Sequence, residues 1–122
     1  MEVMSHAVSP TDLHATAEPY GQTPFLLYTG STGAPRALHV VSELTPESPQ
    51  VVVRGFGRGL AKSLSEDMVL SLLWPAHTAG GFSLIADATG LIEQGADGDE
   101  LVLSVTGAVL HRPAPVNSDG SC

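Results

Sequence analysis

The sequence predicts a mainly β protein, with six antiparallel strands closed or partly closed into a small barrel and one or two short helices. Three observations predict it. Thirteen Gly and nine Pro fall largely between short β-branched runs, a turn-rich texture that suits a sheet better than a helix bundle. Hydrophobic residues make up 43% of the chain and charged ones 15%, the latter below the ~25% of ordinary soluble domains, so there is ample material for a core. The 122 residues fit one domain at the usual ~100–200 residues each. Closure follows because a six-stranded open sheet this short leaves costly edges.

Residues 1–22 are polar and small, with Pro10 and Pro19, and read as an N-terminal arm or short helix. Within them 11–18 can make two helical turns behind a capping residue. Strand-like runs follow at 25–29, 37–44 and 51–54, separated by Gly30-Ser31-Thr32-Gly33-Ala34-Pro35 and Thr45-Pro46-Glu47-Ser48-Pro49-Gln50, both of turn composition. These predict a three-stranded meander. Leu60, Leu64 and Met68 then recur at fourfold spacing among polar residues, which predicts one short amphipathic helix. The apolar run 69–74, ended by Pro75, is short enough to be a buried strand. The last two strands are expected at 82–92 and 101–110, joined across a loop whose Asp97-Gly98 pair is a hairpin signal. The barrel is expected to occupy 23–113, and 114–122 to be a disordered tail.

Charge excludes several functions. The formal net charge is −8 and the isoelectric point near 4.8, the wrong sign for displacing counterions from phosphate backbones or for anionic membranes. No nucleic-acid or membrane partner is expected. No apolar run approaches the ~18–20 residues of a membrane span, and the first residues lack a basic start and an apolar signal core, so a cytoplasmic location is expected. The one cysteine, Cys122, allows no intramolecular disulfide. His6, His14, His39, His77 and His111 share no short ligand spacing, and no metal site is expected. Asp87, inside an apolar strand, is expected to face outward or to meet a base.

The few positive charges carry the functional signal. Three of the five basic residues, Arg54, Arg58 and Lys62, fall within nine positions, interleaved with Gly55, Gly57 and Gly59 and followed by Ser63. Glycines let a bulky anion approach the backbone, a helix start offers N–H groups, and guanidinium groups grip phosphate through paired hydrogen bonds. The segment is a candidate phosphate cradle; the plainer reading is a turn whose bases pair with Glu66, Asp67 or other acids. Neither the Walker spacing nor a dinucleotide fingerprint is present.

The order Val51-Val52-Val53-Arg54-Gly55-Phe56-Gly57-Arg58-Gly59-Leu60-Ala61-Lys62-Ser63-Leu64, followed by Val69-Leu70-Ser71-Leu72-Leu73-Trp74-Pro75, resembles the central segment of the pyridoxamine 5′-phosphate oxidase family. Gly81-Phe82-Ser83-Leu84-Ile85-Ala86-Asp87-Ala88-Thr89-Gly90 and Ala108-Val109-Leu110-His111-Arg112-Pro113 extend the likeness, which is nearest to small actinobacterial-type members. The resemblance implies an FMN-binding split β-barrel, a homodimer with flavin in a groove between subunits, and flavin-dependent oxidoreductase activity on a small molecule. It implies that Arg54, Gly55, Arg58, Lys62 and Ser63 surround the FMN phosphate, that Arg36, His39, Val40 and Val41 lie along the ring, and that Ser83 reaches flavin from the partner subunit. Leu60 stands where many members carry a hydroxyl. The C-terminal segment by which full-length pyridoxamine phosphate oxidases bind pyridoxal has no counterpart after 113, so another substrate is expected. A deazaflavin or haem on the same fold, or a cofactor-free homodimeric barrel, are the alternatives.

Overall fold

The computed structural model describes residues 4–65 and 68–114. Glu66, Asp67, Cys122 and the rest of the expected tail from 115 on lie outside the described residues. Eight strands form: β1 (Ser5–Val8), β2 (Phe25–Thr29), β3 (Pro35–His39), β4 (Val41–Leu44), β5 (Gln50–Arg54), β6 (Leu70–Trp74), β7 (Ser83–Gly95) and β8 (Gly98–His111). Two short helices, α1 (Leu13–Ala17) and α2 (Gly59–Ser63), complete the fold. Every strand pairing is antiparallel. The order across the sheet is β3-β2-β6-β7-β8-β5-β4, with β1 also on β8.

The sheet curls into a half-barrel around the apolar face shared by β2, β5, β6, β7 and β8. Leu26, Val51, Val53, Leu70, Leu72, Trp74, Leu84, Ala86, Leu101 and Leu103 alternate along their strands and are all buried, as a period of two demands. Its two edge strands are consecutive in the chain. Only Val40 separates β3 from β4, so the sheet bends until its edges meet at that residue. Val40 is 2% exposed; its N–H donates to the Pro24 carbonyl at 3.1 Å, and the Ser42 N–H donates to Gln22 at 2.7 Å. The run 37–44, expected as one strand, is therefore two strands around a corner.

Strand count exceeds the expected six for a second reason. Ser5–Val8, expected in an arm, pairs with β8 from Ser5↔His111 to Val8↔Ala108. The helical turns expected after it do form, as Pro10–Asp12, α1 and Glu18–Tyr20 in succession. Leu13 and Ala17, one turn apart, are buried in the common core, so residues 5–20 belong to the barrel body. A bulge lets β8 serve two neighbours along one edge. Asp87 pairs with Gly107 and Ala88 with Val105, leaving Thr106 as the extra residue that bends the strand. Below the bulge β8 pairs with β5, and above it with β1. The β7–β8 turn falls on Ala96-Asp97, one residue before the expected pair, and Gly98 takes a φ of 123°. Helix α2 ends sooner than its spacing predicts. Leu64 is extended, with ψ 132°, and its N–H closes the last turn on the Leu60 carbonyl at 3.0 Å.

Candidate functional site

Alternation along β5 points Val51 and Val53 inward and leaves Val52 and Arg54 on the outer face. The chain then leaves the sheet through Gly55 at φ 80° and Gly57 at φ 73°, left-handed positions that glycine alone takes without strain. Phe56, between them, is buried, and Leu60 is fully buried, which pins α2 against the barrel. Nothing lies within 4 Å of where a Cβ would stand at Gly55, Gly57 or Gly59, so this backbone is open to an approaching group. Arg58 and Lys62, four residues apart, share one exposed side. Neither has an ion-pair partner among the described residues. Ser63 is half-buried at the end of the helix. With five residues, α2 contributes little macrodipole, and the charge of this loop is that of its side chains.

Arg54 is engaged differently. Its Nε and Nη2 donate to Glu100 Oε2 at 2.8 and 2.5 Å, and its Nη1 donates to Glu43 Oε2 at 2.9 Å. The Glu43 bond first, and the Glu100 bond second, hold the guanidinium above its ordinary pKa, so it stays charged. The plainer reading of the basic cluster, pairing with nearby acids, holds for this residue. Neither acid was singled out from sequence, because cross-strand register alone brings them to Arg54.

Val41 is the direct cross-strand partner of Arg54 and is 47% exposed on the same outer face. Beside this pair run Glu43↔Val52, Val52↔Val102 and Leu91↔Val102, with Leu91 also exposed. An apolar strip thus borders the basic loop. The other expected residues are placed elsewhere. Val40 turns its side chain into the core. Arg36, exposed on β3, pairs with Tyr28. His39 stacks on Phe25 with centroids 4.7 Å apart, and its Nε2 donates to the Thr23 carbonyl at 3.0 Å. Both lie on the opposite edge strand, before the corner. Ser83 accepts the Ala76 N–H at 2.9 Å, which staples the loop ahead of β7. Asp87 is exposed, as expected, and accepts the Ser71 hydroxyl at 2.6 Å.

The molecule is thus a curled antiparallel half-barrel with a basic glycine loop beside an apolar outer strip. Among the described residues no three His, Cys, Asp or Glu are grouped to hold a metal ion, and no helix is long and apolar enough to cross a membrane. Comparison with family models, curated proteins and solved structures gives no match for this chain.

Proposed function

We propose that the protein is an FMN-binding flavoprotein of the pyridoxamine 5′-phosphate oxidase-like type, acting as a flavin-dependent oxidoreductase on a small molecule. The register pair Val41↔Arg54 carries this reading. It joins a segment expected along the flavin ring to a segment expected around the phosphate, two stretches that the sequence separates by a turn and a strand. An apolar strip runs into a loop whose two cations, Arg58 and Lys62, have no ion-pair partner among the described residues, a combination of apolar surface and a few convergent polar groups that suits a planar ring bearing a phosphate. Val41, Gly55, Arg58, Lys62 and Ser63 are the residues that would hold the cofactor; Arg36, His39 and Val40 lie elsewhere.

When bound, the flavin supplies the hydride or electron transfer. Arg58 grips phosphate oxygens through its fork, Lys62 adds a point charge, and the Ser63 hydroxyl donates a further bond. Val41, Val52 and Val102 keep water from one side of the ring. The same reading includes a homodimer. Phe25, Leu27, Leu73, Ile85 and Val109 are half-buried on the outer faces of β2, β6, β7 and β8, and they meet strand to strand through Phe25↔Leu73, Leu73↔Ile85 and Ile85↔Val109. A second copy covers such a row and brings its own Ser83 toward the groove.

The test is the visible absorption spectrum of the purified protein before and after FMN is added and the excess removed by gel filtration. A retained two-band flavin spectrum is expected, and Arg58→Glu is expected to weaken FMN binding by about tenfold or more. A colourless protein refutes the flavin. The second reading, a cofactor-free homodimeric barrel, is favoured by the carboxylates that already occupy Arg54. It predicts a melting temperature unmoved by FMN, because only a ligand that binds the folded state stabilises it.

A further inference from the structure

We infer that Glu43 is a displaceable counter-ion for Arg54: an anion bound at the β5–α2 loop takes the end of the guanidinium from Glu43, while Glu100 stays in place and aims it. The inference rests on the phosphate-binding reading above.

The two acids hold Arg54 in unequal ways. Glu100 takes the side-on edge of the guanidinium, accepting from both Nε and Nη2 through one oxygen. Its side chain is 23% exposed. Gly95 leaves the space that it fills, since a Cβ there would lie 2.5 Å from Glu100 Cδ and 2.7 Å from Cγ. Glu43 makes a single bond, to Nη1, from a side chain 68% exposed. The Nη1–Nη2 end is the part of the fork that two phosphate oxygens take in parallel, and Glu43 is the only carboxylate there among the described residues. With both acids bound the cluster carries one net negative charge and repels an anion; with Glu43 withdrawn it is neutral. A groove of about 220 Å³ lies beside it, lined by Glu43 together with His14, Gln22, Ser42 and a second acid, Glu18.

Inorganic phosphate and, separately, FMN are titrated calorimetrically into the wild type, Glu43→Gln and Glu100→Gln at one fixed ionic strength. Removing an exposed ion pair of this kind is expected to tighten phosphate binding by about two- to fivefold in Glu43→Gln. Glu100→Gln removes the same charge but also the group that aims Arg54, and is expected to tighten it less than Glu43→Gln does, with the melting temperature of both variants close to that of the wild type. Unchanged or weaker phosphate binding in Glu43→Gln overturns the inference, as does the absence of phosphate binding in all three proteins. If phosphate tightens as expected while FMN is not bound by any of them, the counter-ion role stands and the flavin reading falls.

Discussion

The backbone of Gly95 passes directly beneath the side chain of Glu100. A methyl group on Gly95 would stand 2.5 Å from Glu100 Cδ, 2.7 Å from Cγ and 2.8 Å from Oε1, too close for the carboxylate to keep its place on Arg54. Glu100 is flexible enough to move away, so Gly95→Ala is expected to fold normally and to release the side-on edge of Arg54. Its circular dichroism spectrum should match the wild type, while phosphate affinity falls because the charge of Glu100 remains and its aim on Arg54 is lost. A variant with wild-type affinity would separate Glu100 from the anion site.

Gly90 meets an obstacle that cannot rotate away. A Cβ there would lie 1.9 Å from the Val102 carbonyl oxygen and 2.9 Å from Leu103 Cα, both backbone atoms of the neighbouring strand. Gly90→Ala must therefore push β7 and β8 apart along their longest ladder, and a loss of about 1–3 kcal/mol or more is expected in urea unfolding. Gly59→Ala is the control: nothing lies within 4 Å of its Cβ position, and its φ is not positive.

Leu13 tests whether the N-terminal turns belong to the barrel. It is fully buried in the same cluster as Leu26, Leu72 and Leu84. Leu13→Ala is expected to cost about 2–5 kcal/mol, the usual range for a core leucine. An independent arm would give almost no change in the unfolding midpoint.

Trp74 is the only tryptophan in the chain and is 1% exposed, with its indole N–H donating to the Gly21 carbonyl at 3.1 Å. Trp74→Phe keeps the ring in the core and orphans that carbonyl. A destabilisation of about 1–3 kcal/mol is expected, read by thermal melting. In the wild type the native emission should be blue-shifted and move to the red on unfolding.

The strands were legible where their own residues decide the matter. The expected 25–29 coincides with β2, and the apolar run 69–74 contains β6, because a buried strand between turn residues declares itself. What was not legible depends on distant partners. Ser5-His6-Ala7-Val8 has no alternation to show, and it is a strand only because β8, with partners 100 to 106 residues later, offers it an edge. The corner at Val40 was hidden inside a continuous strand-like run, since the change of partner from β2 to β5 leaves no mark in the residues. Leu60 and Leu64 share the spacing of a helix face, yet only Leu60 lies within the helix. At the candidate site the loop glycines and cations were readable as a cluster. The fate of Arg54 was not, because Glu43 and Glu100 sit on two other strands.

Because β8 is neighbour to β1, β5 and β7 at once, the strand latest in the chain among the described residues is also the keystone of the sheet. Until residues 98–111 are made, β1 has no strand partner among the described residues, β5 has only β4, and β7 has only β6. Assembly of this sheet must then wait for its C-terminal hairpin and proceed through long-range pairings, the kind that fold slowly and leave strand edges open meanwhile. A nascent chain halted before Gly98 would hold its most apolar strands without the hairpin that closes them.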